Sequence, residues 1–135
     1  MKLLKLKLIA LFIGLTAISA CSSVDDSDCT ATAYLPITGV TGPETALVNQ
    51  EITFTVTVRV YNDCASLTGL DQNSVYPRDI YAQGLFVGCS GCTATPNKTT
   101  TAEYKFSSAT PGEYKLIFHS VDSNITKTVV VSEPD

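Results

Sequence analysis

The feature that most constrains the fold is a strict alternation of apolar and polar side chains between residues 51 and 61. Five apolar side chains fall on one face of this segment: Ile52, Phe54, Val56, Val58 and Val60. The other face carries Glu51, Tyr61, an arginine and three threonines. Because side chains alternate across a β-strand, this pattern predicts a strand with one face in a core and the other towards solvent.

Shorter alternating runs occur along the chain, each bounded by Gly, Pro, Asn or Ser. They cover residues 37–40, 80–87, 102–106, 113–118 and 125–131. No segment after Cys21 has a helical period with caps, so the sequence predicts an all-β antiparallel sandwich. Residues 65–77 have no clear strand period. We expect a long loop there, and a short strand is the alternative.

The last forty residues contain a recognisable pattern. Residues 104–106, the run Ala109-Thr110-Pro111-Gly112-Glu113-Tyr114 and residues 126–131 resemble the E, F and G strands of bacterial immunoglobulin-like domains. The resemblance implies an antiparallel immunoglobulin-like β-sandwich of about seven strands over residues 31–135. It also implies that Tyr114 is a tyrosine corner, whose hydroxyl bonds to backbone. The chain has no tryptophan, unlike antibody-type domains.

The N-terminus has the organisation of an export signal. Lys2, Lys5 and Lys7 precede an apolar run over residues 8–18, which is shorter than the roughly 20 residues that cross a bilayer. The following Ile18-Ser19-Ala20-Cys21 resembles the lipobox of bacterial lipoproteins. The resemblance implies a cleaved signal over residues 1–20, a lipidated Cys21 and an acidic tether over residues 21–30. The alternative is an ordinary secretory signal with a free Cys21.

The tether and the resemblance to lipoproteins together indicate a location. Acidic residues 25, 26 and 28 after Cys21 are similar to a signal that sends lipoproteins to the outer face of the outer membrane in one group of Gram-negative bacteria. We therefore expect an outer-membrane lipoprotein at the cell surface, or otherwise facing the periplasm. Its predicted partner is the membrane, to which the lipid on Cys21 would attach it. The chain as a whole resembles small uncharacterised bacterial lipoproteins with one such domain.

The other four cysteines, Cys29, Cys64, Cys89 and Cys92, predict two disulfides in an exported chain. Four cysteines allow three pairings. If strands 37–40 and 51–61 are antiparallel and strand 79–87 runs back, the last two cysteines lie about 35 Å from Cys64. A disulfide tolerates a Cα separation of only about 7 Å. This geometry favours Cys29 with Cys64, and Cys89 with Cys92.

A Cys-x-x-Cys pair can also be a redox dithiol. Residues 93–98 after Cys92 have the composition of a turn and a strand, whereas a redox motif of the thioredoxin type needs a helix there. A structural disulfide is therefore the favoured interpretation, and thiol–disulfide exchange by Cys89 and Cys92 is the competing one. A zinc ribbon would need two such pairs, and the chain has one.

Composition and the remaining side chains point away from several function classes. Without residues 1–20 the chain has six basic and thirteen acidic residues, a net charge of −7, which disfavours nucleic-acid binding. The lone histidine, His119, is expected on an outer face in solvent, so we predict no catalytic residue. Calcium ligation by Asp63 with Asp71, or by residues 25, 26 and 28, does not have the spacing of an EF-hand loop, so no metal or cofactor is predicted.

The expected function is therefore that of a membrane-anchored, non-catalytic module for binding, adhesion or envelope structure. Its ligand, a protein or a glycan, is not specified by the sequence. Four tyrosines are candidates for an aromatic sugar-binding platform: Tyr34, Tyr61, Tyr76 and Tyr81. The competing hypotheses are an envelope redox protein that uses Cys89 and Cys92, and a subunit of a larger cell-surface complex that docks through an exposed strand.

Overall fold

The computed structural model of the protein describes residues 29–88 and 91–134. The predicted signal, Cys21 and Cys89 lie outside these residues. Within the described residues the chain forms nine strands: β1 (Thr30–Leu35), β2 (Ile37–Thr41), β3 (Thr45–Leu47), β4 (Ile52–Arg59), β5 (Ala65–Gln72), β6 (Arg78–Val87), β7 (Thr99–Phe106), β8 (Gly112–Phe118) and β9 (Ile125–Ser132). The all-β prediction is confirmed. The first strand of the described residues begins at Thr30.

The strands form two sheets. A three-stranded sheet has the order β2-β4-β7, and a six-stranded sheet has the order β1-β6-β8-β9-β3, with β5 also paired to β6. The larger sheet is mixed, because β3 pairs with β9 and β6 pairs with β8 in parallel. The expected purely antiparallel sandwich of about seven strands therefore becomes a two-sheet domain with nine strands in its described residues.

The core lies between the two sheets, as the alternation predicts. All five apolar residues of the 51–61 segment are buried, and Phe54 is the largest of them. Its ring centroid lies 6.2 Å from that of Phe118 on β8, and Tyr104 on β7 lies 5.5 Å from Phe118. Burying a side chain of this size contributes about 1.5–3 kcal/mol. The aromatic contacts therefore join the smaller sheet to the larger one.

Residues 65–72 form strand β5, so the alternative of a short strand is confirmed there and the long loop expected over residues 65–77 is not found. Strand β5 pairs antiparallel with β6, and its register shifts between Leu67 and Gly69. The Thr68 hydroxyl donates to the carbonyl oxygen of Gln83 at 2.9 Å. The shift breaks the alternation, which is why the sequence shows no period of two here. Because the chain forms this extra strand between β4 and β6, β6 runs relative to β4 in the direction opposite to the one expected.

The reversal changes the disulfide pairing. Cys64 is bonded to Cys92, with a Cα separation of 5.6 Å. The predicted pairs, Cys29 with Cys64 and Cys89 with Cys92, are therefore wrong. Cys29 is itself disulfide-bonded, and its carbonyl oxygen accepts a hydrogen bond from the Gly88 amide at 2.8 Å. Because β1 pairs with β6 and β5 brings the chain back, the beginnings of β1 and β5 meet the end of β6.

Candidate functional site

A groove on the larger sheet arises from an interruption on one edge of β6. Strand β1 pairs with residues 82–87 of β6, and strand β8 pairs with residues 78–80 along the same edge. Tyr81 therefore has no strand partner on that edge among the described residues. The last residues of strands β1 and β8 lie on either side of this interruption and form the walls of a groove.

The groove has a volume of about 220 Å³. Eight residues line it: Tyr34, Leu35, Pro36, Tyr81, Ala82, His119, Ser120 and Val121. A second depression of about 290 Å³ adjoins it along β1 and β6 and is lined by Thr32, Ala33, Tyr34 and Gln83. Because Tyr34 lines both, the two form one continuous surface with this side chain between them.

Three rings are packed together at this surface. The ring centroids of Tyr34 and Tyr81 are 4.8 Å apart, and those of Tyr81 and His119 are 4.1 Å apart with an interplanar angle of only 13°. Tyr34 pairs with Gln83 across β1 and β6, so its side chain lies diagonally next to that of Tyr81. Tyr34 is 59% exposed and forms the outer member of the group.

His119 was expected in solvent on the outer face, and this expectation is only partly right. Its side chain is 28% exposed, and Nε2 lies 2.7 Å from Oδ1 of Asp79. The backbone amide of His119 donates to the carbonyl oxygen of Ile80 at 2.9 Å. The parallel pairing of β8 with β6 therefore brings together two residues that are forty positions apart. Sequence alternation alone gave no signal for this contact.

Asp79 connects the histidine to a second polar side chain. Its Oδ2 accepts a hydrogen bond from Nδ2 of Asn73 at 2.9 Å, and its backbone amide donates to Oδ1 of Asn73 at 3.1 Å. The carboxylate is thus held on one side by Asn73 and holds His119 on the other. Within the described residues, no hydroxyl or thiol is hydrogen-bonded to the imidazole. These contacts fix the orientation of the His119 imidazole, and a ring with a fixed orientation is suited to contact a ligand.

The four candidate platform tyrosines do not come together. Tyr34 and Tyr81 share the groove, whereas Tyr61 stands apart and is 42% exposed. Tyr76 packs edge to face against Tyr114 at 4.8 Å, and the Arg78 guanidinium lies 4.4 Å from its ring centroid. Burial raises the pKa of the Tyr76 phenol above 10.0, although Arg78 opposes the shift. Tyr76 therefore packs with Tyr114 and Phe106 and does not line the groove.

Tyr114 lies on β8, two residues after the strand begins at Gly112. Its hydroxyl donates to the carbonyl oxygen of Thr110 at 2.8 Å and accepts from the Ser108 hydroxyl at 2.7 Å. A tyrosine hydroxyl bonded to backbone a few residues upstream is the contact that the resemblance implies for this residue. Its role here is to hold the turn.

The carboxylates considered as calcium ligands are separated. Asp63 precedes β5 and Asp71 lies near its end, so about 25 Å of strand divides them. Asp63 does lie beside Cys64 and Cys92. Those sulfur atoms are bonded to each other, and Oδ1 of Asp63 accepts from the Thr93 amide at 2.7 Å. The two sulfur atoms and Oδ1 of the Asp63 carboxylate therefore already have bonding partners within the protein. Residues 25, 26 and 28 lie outside the described residues.

The fold and the groove define the chain as an all-β, two-sheet domain with a disulfide at one end and an aromatic groove on its larger sheet. No protein-family model matches the chain, and neither the comparison with curated proteins nor that with solved structures found a match. In residues 29–88 and 91–134 no helix is long and apolar enough to cross a membrane.

Proposed function

We propose that the protein is an exported, lipid-anchored, non-catalytic binding module at the bacterial cell surface, or otherwise facing the periplasm. The observation that carries the proposal is the Cys64–Cys92 bridge beside a disulfide-bonded Cys29. Disulfides persist in oxidising compartments and are rare in the cytosol. Together with the export signal in residues 1–20, they support a location outside the cytoplasm.

The position of the cysteines supports anchoring through the N-terminus. The Val87 amide donates to the carbonyl oxygen of Cys64 at 3.0 Å, and the Gly88 amide donates to that of Cys29. The beginning of β1, where the chain leaves the proposed tether, is therefore at the disulfide-bonded end of the domain. A lipid on Cys21 would attach the protein to the membrane through its most cross-linked end.

We also propose that the sandwich is a variant of the immunoglobulin-like architecture. The three-stranded sheet β2-β4-β7, the parallel pairing of β3 with β9 and the Tyr114 contact support this relationship. The parallel pairing of β6 with β8 is a departure, because immunoglobulin-like sheets are antiparallel at that position.

The competing redox hypothesis has less support than the sequence suggested. It needs Cys89 and Cys92 to form a reversible pair, whereas Cys92 is bonded to Cys64 across a sequence separation of 28 residues. Membership of a larger surface complex remains compatible with the fold, since β2 and β7 each pair with β4 alone and form the edges of their sheet.

The proposal is tested by replacing the cysteine that would carry the lipid. In the producing bacterium, the wild-type protein should incorporate labelled palmitate and sediment with membranes, while Cys21→Ser should do neither. The double variant Cys64→Ser/Cys92→Ser is the matched control, because it removes two other cysteines and should remain acylated. A wild-type protein without label, or a Cys21→Ser protein that still carries it, would refute the anchor.

A further inference from the structure

We infer that the groove and the adjoining depression around Tyr34 form a binding site for a neutral glycan chain. The inference rests on the proposed function as a binding module and names its ligand class. It starts from the placement of an exposed aromatic ring between two depressions that open to solvent. A pyranose ring has one face of aliphatic C–H groups, which packs against the flat face of such a ring.

The platform is fixed before any ligand arrives. Tyr34 packs on Tyr81, Tyr81 is stacked on His119, and His119 is held by Asp79. Asn73 in turn holds the carboxylate of Asp79. Since each ring is supported by the next, the site loses little conformational entropy on binding, and such preorganisation raises affinity.

Polar groups that match sugar hydroxyls lie on both sides of Tyr34. His119 and Ser120 line the groove, and Thr32 and Gln83 line the adjoining depression. Hydroxyl, amide and imidazole groups can each donate or accept a hydrogen bond, as can the hydroxyls of a saccharide. An apolar partner would cover the polar side chains of Ser120, Thr32 and Gln83 without bonding to them, so a ligand rich in hydroxyls fits the surface best.

Size and charge narrow the ligand further. At about 220 Å³ the groove is smaller than the roughly 300–1,000 Å³ of sites for drug-sized molecules, so it suits one ring. The second depression then accommodates a neighbouring ring across Tyr34. Without residues 1–20 the chain carries a net charge of −7, which disfavours uronic acids and sulfated sugars. The ligand class is therefore a linear neutral oligosaccharide.

The test uses the mature protein extracted from membranes in a detergent without a sugar headgroup. Cello-, malto-, xylo- and mannohexaose are titrated into it by calorimetry at millimolar concentrations. We expect at least one hexaose to bind. Tyr34→Ala should weaken that binding by about tenfold or more, and Tyr34→Phe should retain it because the ring face is kept.

Tyr61→Ala is the matched control, since Tyr61 is also exposed but lies outside the groove. Its affinity should equal that of the wild type, and thermal unfolding should show that all variants are folded. Absence of binding to every hexaose, or equal binding by Tyr34→Ala, overturns the inference. Acylation of Cys21 is measured separately. A protein that is acylated but binds no glycan contradicts only this inference, and a protein that binds a glycan but is not acylated contradicts only the proposed anchor.

Discussion

Asp79 is the residue on which the order of the groove depends. Its two carboxylate oxygens contact His119 and Asn73 at 2.7 and 2.9 Å, and its side chain is 32% exposed. The contact with His119 does not follow from the sequence, because His119 is forty positions from Asp79 in the chain. The lone histidine was correctly assigned to the outer face. Its partner was missed because nothing in the alternation predicts that β8 joins β6 in parallel.

Replacing Asp79 should weaken the domain. Asp79→Ala removes the acceptor for both neighbours, and we expect a loss of about 1–2 kcal/mol in the free energy of unfolding. Glu113→Ala, which removes an exposed carboxylate on β8, should stay within about 0.5 kcal/mol of the wild type. Urea titrations of the three proteins measure both values. Equal midpoints for Asp79→Ala and the wild type would show that the carboxylate does not hold the cluster.

We expect the ionisation of Tyr76 to make the stability of the domain depend on pH at high pH. The pKa of Tyr76 is raised above 10.0 in the folded protein, chiefly by burial, so the unfolded chain loses the proton first. The stability linked to Tyr76 is thus fully present below the unfolded pKa and is lost as pH rises through the folded pKa. Tyr76→Phe keeps the ring contacts and removes the ionisation. Between about pH 9 and 11, its unfolding free energy should fall less steeply than that of the wild type. Parallel slopes would contradict this assignment.

At the scale of elements, the strands with regular alternation were predictable and the others were not. Strand β4 has its five apolar residues buried as expected, because nothing interrupts its period. Strand β5 was only the alternative to a loop, since a shift in its register between Leu67 and Gly69 interrupts the alternation. Strand β1 has only Leu35 buried, so its residues show no apolar face. These two strands also account for the wrong cysteine pairing, because strand direction determines which ends meet.

The close approach of β2 to β4 gives a test of the packing between elements. A Cβ added at Gly42 would overlap the ring of Phe54 and lie 3.0 Å from its Cα. Gly42→Ala should therefore cost about 1–3 kcal/mol of stability. Gly69 on β5 has no atom within 4 Å of the added position, and Gly69→Ala should be neutral or slightly stabilising. Chemical denaturation compares the two alanine variants. A neutral Gly42→Ala would show that this packing is looser than described.

For the whole molecule, the disulfide-bonded end is the main covalent constraint in the described residues. The Cys64–Cys92 bridge closes a loop with a sequence separation of 28 residues. The chain-entropy model gives such a bridge about 2–4 kcal/mol of stability. The double variant Cys64→Ala/Cys92→Ala should lose that amount in thermal or urea unfolding. Cys21→Ser should leave stability unchanged, as Cys21 precedes the folded domain. A double variant as stable as the wild type would make the bridge dispensable.

Lipidation of Cys21 and the disulfide pairing are connected, because a thiol that carries a lipid cannot form a disulfide. Since Cys64 is bonded to Cys92, the anchoring proposal predicts that the disulfide-bonded Cys29 pairs with Cys89, which lies outside the described residues. The contact between the Cys29 carbonyl and the Gly88 amide agrees with this choice. The anchoring proposal therefore predicts the second bridge as well as the modification.

The central claim, an exported, lipid-anchored and disulfide-bonded module, is tested most directly by a non-reducing peptide map of the protein taken from the membranes of the producing cell. Mass analysis should find an acylated Cys21 as the first residue, a peptide pair joined by Cys64 and Cys92, and a second pair joined by Cys29 and Cys89. An unmodified Cys21 still preceded by residues 1–20, or a bridge between Cys89 and Cys92, would contradict it.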